Sequence, residues 1–269
     1  MANDKESDRM FSPDLLKGKI ALVTGSTCGM GARTAEQLAR AGAELVLING
    51  RSAETGAAAL RELQAAVPDG RFEFVAASYT TAEGVDRLFE RTAALGGLDI
   101  FVHTCMADGT GLKPFTQTSR QDWEAMVQGL FLSLVDCCSR AVPQMMARGG
   151  GAIVSYASDA AKIATPGESI SGGCLAANVM FVRTVALELA RHNIRVNAVT
   201  PSITRGTRTY DRVMADAFSR KLFEKAERRA RLGVASAENV APMAVFLASP
   251  MASHITGQVV SVNGGISAA

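Results

Sequence analysis

Thr24-Gly25-Ser26-Thr27-Cys28-Gly29-Met30-Gly31 decides the fold. The octapeptide follows an apolar run, Ile20–Thr24, and opens directly into a helical pattern at Ala32-Arg33-Thr34-Ala35. Glycine tolerates the backbone that a tight strand-to-helix turn needs. It also lets N–H groups at a helix N-terminus approach a pyrophosphate that a Cβ would hold away. At the head of a βαβ unit this turn predicts a dinucleotide site, with Gly25, Thr27, Gly29, Met30 and Gly31 as its cofactor-binding residues. The same glycines are expected where a helix simply packs close on a strand.

The next apolar run ends at Asn49-Gly50-Arg51. An NAD-selective site carries an acidic residue there for the adenosine ribose. A neutral Asn49 followed by a cationic Arg51 leans toward NADP, with Arg51 facing the extra phosphate.

Farther out, runs rich in Val, Ile and Leu alternate with helical segments, the pattern of a parallel sheet covered on both faces. Strands are predicted at Ile20–Thr24, Glu44–Asn49, Arg71–Val75, Asp99–His103, Ala152–Tyr156, Arg195–Val199 and Val259–Val262. The expected fold class is α/β, a single Rossmann-like doubly wound domain over 18–269 whose seven-stranded parallel sheet is flanked by helices. Residues 1–17 read as a mobile N-terminal tail. One helix is predicted from about Gln121 to Met146. A long amphipathic one carries Leu175, Val179, Val182, Ala186 and Leu189 on a single stripe.

Composition narrows the function classes. Across 269 residues, 48% are hydrophobic and 20% charged with a net charge of +2, so no nucleic-acid footprint or membrane-surface patch is implied. No uninterrupted apolar run approaches the roughly 20 residues of a bilayer span, and the expected location is cytoplasmic. Five cysteines without a C-x-x-C pair and three scattered histidines predict neither a disulfide framework nor a metal site.

From Lys17 to Gly265 the sequence resembles the short-chain dehydrogenase/reductase (SDR) family. Four blocks carry the resemblance: the glycine turn, Leu98-Asp99-Ile100-Phe101-Val102, Asn193–Pro201 and Ile255–Gly265. The resemblance implies a catalytic serine after the fifth strand, a Tyr-x-x-x-Lys motif at the head of the long helix and an asparagine in the helix before it. Counted back from Ile194–Asn197, the serine falls on Ser158 and is retained. The tyrosine, lysine and asparagine positions fall on Ser171, Leu175 and Leu130. A serine hydroxyl is far less acidic than a phenol, and Leu175 supplies no charge to tune it. Loss of a general acid–base alone costs about 10²–10⁴ in rate.

Other cofactor-facing positions depart too. His103-Thr104-Cys105-Met106 stands where the family commonly has Asn-Asn-Ala-Gly, Ser202 replaces a glycine, Gly206 takes the place of a threonine near the pyrophosphate, and Ser78 that of an adenine-touching aspartate. NAD(P) is expected by fold, with weak or absent binding.

The expected function is a non-catalytic SDR-fold subunit, expected to be inactive alone, that scaffolds an active NAD(P)-dependent hydroxyacyl-CoA or alcohol dehydrogenase subunit. The expected assembly is a heterotetramer with an active SDR homologue, or alternatively a homo-oligomer. The two-subunit hydroxyacyl-CoA dehydrogenase of benzylsuccinate β-oxidation is an arrangement of this kind, and the chain resembles its inactive subunit. The alternative is an enzyme with a non-standard site, for hydride transfer or a redox-neutral step, built from His103, Cys105, Ser158, Ser171 and Cys174 at the C-terminal edge of the sheet.

Overall fold

The computed structural model describes residues 10–104 and 112–269. Its strands are β1 (Ile20–Thr24), β2 (Leu45–Gly50), β3 (Phe72–Ala76), β4 (Ile100–His103), β5 (Gly151–Tyr156), β6 (Ile194–Pro201) and β7 (Val259–Val262). They form one parallel sheet in the order β3-β2-β1-β4-β5-β6-β7. The predicted runs all appear, several shifted by one or two residues at one or both ends. The order reverses between β1 and β4, so the glycine turn lies at the switch point where open α/β sheets bind ligands.

Alternation along the strands builds a core on each face. Ala21, Val23, Ile100 and Val102 face one side, covered by α1 (Gly29–Arg40), α2 (Ala53–Ala66) and α9 (Ala237–Ala248). Leu22, Phe101 and Ile153 face the other, covered by α3 (Ala82–Ala94), α5 (Ser133–Ala147) and α6 (Ser169–Leu189). Helices α7 (Arg208–Ala215) and α8 (Ala217–Arg229) follow β6.

Three expectations change. The helix predicted from Gln121 is three pieces: α4 (Arg120–Met126), a π-helical turn over Val127–Leu132, then α5. Residues 10–17 are no free tail: Leu16 is buried, its N–H donates to the Ala41 carbonyl, and Pro13 lies against Gly42, where a Cβ would collide with it. Residues 1–9 lie outside the described residues.

The stripe Leu175, Val179, Val182, Ala186 and Leu189 packs inward, with Val182 and Ala186 in the core beneath β5 and β6. The outward face of α6 carries Met180 and Leu187, 59% and 79% exposed. This helix is apolar all round.

Candidate functional site

The turn after β1 takes the shape the glycines predict, and most of the reason is internal. Gly25 and Gly29 have φ of 60° and 57°, in the left-handed region. A Cβ on Gly25 would come 2.7 Å from the Thr104 carbonyl oxygen, and one on Gly31 would come 2.5 Å from the Gly25 carbonyl oxygen. Close packing therefore already requires glycine at both positions. Thr27 stands against Gly50, and Met30 turns back onto the core rather than toward the edge.

The N-terminus of α1 is nevertheless suited to an anion. Its N-cap, Cys28, makes no side-chain cap bond, and no acidic residue occupies the first turn. Among the described residues no side-chain cap bond claims those N–H groups, which sit at the positive end of the helix. The residues at this end fit the pyrophosphate of a dinucleotide.

Two sequence expectations about its partners are corrected. Asn49 is fully buried and points into the sheet edge: its Nδ2 donates to the carbonyls of Val75 and Ala77 at 3.1 and 2.9 Å. It cannot reach a ribose, so Gly50 and the exposed Arg51 form the strand end that would face one. The threonine missing at 206 is supplied one residue on. Thr207, the N-cap of α7, packs on Gly29, whose Cβ would lie 3.5 Å from its methyl group.

At the other end of the edge, His103 is completely buried. Nδ1 bonds Thr24 Oγ1 at 2.9 Å, Nε2 bonds Ser133 Oγ at 3.2 Å, and the ring meets Tyr79 edge-on at 5.4 Å. Burial drives its pKa from 6.5 down to about 3. It is a neutral packing histidine with both nitrogens used, which leaves neither for the role that the non-standard-site alternative would give it. Cys105 and Met106 lie outside the described residues.

The positions counted for the asparagine and lysine do converge, in an apolar cluster. Leu130 and Leu175 pack with Met126 and Cys174, walled by Phe131, Ala157, Ala161 and Ile170. Burial raises the Cys174 thiol pKa, so that cysteine is a small hydrophobe here and not a nucleophile. Leu130 lies within the π turn, and its carbonyl accepts the Nδ2 hydrogen of Asn178 at 2.8 Å. Asn178 is 1% exposed and its Oδ1 has no partner among the described residues.

Ser158 caps a 3₁₀ turn, Asp159–Ala161, its Oγ accepting from the Ala160 N–H at 3.2 Å. Gly172 lets the first turn of α6 close onto this turn, since a Cβ there would lie 2.9 Å from the Ala160 carbonyl oxygen. That contact sets the first turn of α6, which carries Ser171, against the 3₁₀ turn. Asp159 is buried, and its Oδ2 accepts from Asn263 Nδ2 at 2.7 Å and Ser267 Oγ at 2.9 Å. Lys162 bonds Ser261 on β7, and burial lowers its pKa against the raising effect of the Asp159 charge. Glu168, under burial and the same Asp159 charge, is raised from 4.5 to about 7.

Sequence reasoning missed Glu168, Asp159 and Asn178. The available signal was three acidic or amide residues flanking an otherwise apolar and small-residue stretch, at the place where the strand and the long helix must meet.

A family profile described as enoyl-(acyl carrier protein) reductase matches residues 25–267. The chain is 32% identical over 253 residues to a 3-oxoacyl-[acyl-carrier-protein] reductase of Aquifex aeolicus, covering 93% of this chain and 98% of that one. It is 34% identical over 272 residues to a tropinone reductase homolog of Arabidopsis thaliana, covering 99% and 97%. Among solved structures, it is similar to a 7α-hydroxysteroid dehydrogenase complexed with NADH and 7-oxo glycochenodeoxycholic acid, at TM-score 0.85 and 28% identity over 95% of this chain and 98% of that one. An L-sorbose reductase from Gluconobacter frateurii complexed with NADPH and L-sorbose gives TM-score 0.82 and 31% identity over 94% and 98%. With its sheet order, glycine turn and nearly full-length matches, the chain belongs to the short-chain dehydrogenase/reductase family of oxidoreductases.

Proposed function

We propose that this SDR chain does not transfer hydride on its own and serves as a structural subunit for an active SDR homologue. The observation that carries the reading is the apolar cluster of Met126, Leu130, Cys174 and Leu175, which fills the ground where a tyrosine-tuning ammonium and an asparagine would stand. NAD(P), when bound in this family, supplies the hydride. Here the turn Gly25–Gly31 and Arg51 would hold its phosphates, while nothing in the cluster would steady a reacting oxygen.

The partner surface is the outer face of α6 and the π turn. Met180, Leu187, Val127 and Leu132 are exposed there, at 59%, 79%, 39% and 42%. Leaving such a face in water costs about 25 cal/mol per Å². Purification from the native host followed by light scattering tests the reading. An SDR with an intact Tyr-x-x-x-Lys motif should co-purify, and the isolated chain should show no NAD(P)-dependent turnover of alcohols or ketones. A monomer without such a partner, or turnover at an ordinary rate of about 10 s⁻¹, refutes it.

A second reading, a redox-neutral step at a non-standard site, is favoured by the Glu168 carboxyl, which burial and the Asp159 charge raise from 4.5 to about 7. The two are compatible, since neither moves hydride.

A further inference from the structure

We propose that the solvent face of α8 is a docking surface for a bilayer that bears anionic phospholipid. The proposal is independent of the structural-subunit reading, which uses α6 and the π turn.

The whole-chain charge of +2, from which no membrane-surface patch is expected, averages out a local excess. The 27 residues from Arg205 to Arg231 hold nine of the 28 Lys and Arg and four of the 26 Asp and Glu. That segment carries +5, and the rest of the molecule is net negative. A surplus gathered in so short a stretch sets up a local field that the total conceals.

The periodicity of α8 puts the surplus on one side. Ser219 is buried and Leu222, Phe223 and Ala226 are half-buried, which fixes the inward face. Arg220, Lys221, Lys225, Arg228 and Arg229 are all exposed. Lys221, Lys225 and Arg228 follow one another at spacings of four and three, a row about 10 Å long on the outer face. Of the two acidic residues of α8, Glu227 is engaged by Arg205 at 3.4 Å and by the Tyr210 hydroxyl at 3.1 Å. Within the helix that leaves Glu224 against five cations, none of which enters an ion pair among the described residues.

Apolar groups flank the row, and both ends of it are fastened. Phe218, in the first turn, is 42% exposed, and Leu232, three residues past the helix, is 88% exposed. The Asp216 carboxylate caps the Ser219 N–H at 2.9 Å, and the Ser219 hydroxyl donates to the Val213 carbonyl at 2.9 Å. At the far end the Leu232 N–H donates to the Gly264 carbonyl at 3.0 Å. Leu232 thus stays in water although its backbone is tied to the fold.

This combination selects the occupant. Cations in a row on a convex helix, with apolar side chains at either end, match a flat layer of phosphate headgroups over acyl chains. The cations meet the headgroups, and Phe218 and Leu232 enter the boundary beneath them. A small phosphorylated ligand would call for a concave site. Single-stranded RNA would call for aromatic rings spaced to take successive bases, and α8 exposes only Phe218.

The test is flotation of the full chain with vesicles. Binding should appear with phosphatidylcholine vesicles containing about 30% phosphatidylserine and be absent with phosphatidylcholine alone. It should be lost as NaCl is raised from about 0.1 to about 0.5 M. K221Q/K225Q/R228Q should weaken it about 10²-fold and L232S about 10-fold, both with an unchanged circular dichroism spectrum. No binding to the phosphatidylserine vesicles, equal binding to the two kinds of vesicle, or equal binding by the triple variant and wild type overturns the proposal. Tighter binding to single-stranded RNA or to polyglutamate than to the vesicles gives the face to a nucleic acid or an acidic protein and overturns it as well. If the triple variant does not fold, wild-type binding by L232S or an affinity insensitive to salt overturns it equally.

Discussion

Asn178 on α6 donates its side-chain amide to the backbone carbonyl of Leu130, 2.8 Å away in the π turn. A π turn widens the helix and leaves carbonyls without their regular partners, so a buried donor from the facing helix completes it. Replacement of Asn178 by alanine should therefore lower stability by about 1–3 kcal/mol. Amide exchange should quicken over Val127–Leu132 before it quickens elsewhere. Urea unfolding and hydrogen-exchange mass spectrometry check both. An unchanged midpoint would mean that side-chain packing alone holds the turn.

Reinstating the missing ammonium should damage the protein rather than revive it. Leu175→Lys sets a charge among Met126, Leu130 and Cys174 with no carboxylate in the cluster, a loss of several kcal/mol. The urea midpoint should drop with an unchanged slope, and S171Y/L175K should show no ketone reduction with NADPH.

Two groups tilt stability against pH in opposite directions. His103 falls from 6.5 to about 3 on folding, so the unfolded chain binds the extra proton between those values. Its contribution is complete above pH 6.5 and is lost as pH falls toward 3, at up to about 1.4 kcal/mol per unit. Glu168 rises from 4.5 to about 7, so the folded chain binds the extra proton, and its contribution is lost as pH rises through that window. Between 4.5 and 6.5 the slopes oppose. Denaturant titrations across pH should steepen in E168Q and flatten or reverse in H103N, and identical profiles for the three proteins would contradict both assignments.

The two faces of α6 should answer differently to the same charge. Val182 is fully buried in the core and Leu187 is 79% exposed. Val182→Glu should prevent folding, whereas Leu187→Glu should leave the circular dichroism spectrum intact and shift light scattering toward smaller species. Loss of fold in both, or assembly unchanged in L187E, would remove this face as the contact.

How much of this was legible follows from what each signal contains. Buried parallel strands are continuous Val/Ile/Leu runs, so β1 to β7 could be read to within a residue or two. The Leu130 and Leu175 positions came from spacing, and the structure does bring them together. The stripe on α6 was readable as a stripe but not as to its direction, because a helix apolar all round gives periodicity no polar face to orient by. Asn49 was misassigned for the opposite reason: a polar residue at a strand end looks solvent-facing, and only the β3 carbonyls of Val75 and Ala77 reveal that it points inward. Glu168 was missed because its character comes from burial that the chain acquires only when α6 docks and from the charge of Asp159 nine positions earlier.

The bonds from Asp159 to Asn263 and Ser267 have a consequence for how the protein is made. Synthesis runs from the N-terminus, so the 3₁₀ turn leaves the ribosome roughly a hundred residues before the segment that completes it. Until β7 pairs with β6, the Asp159 carboxylate stands without its donors. A nascent chain can thus form the glycine turn and the β1–β5 half of the sheet early, while the Asp159 bonds wait for the segment that carries Asn263 and Ser267. Anything fused directly behind Ala269 would bear on that final closure more than on the rest of the fold.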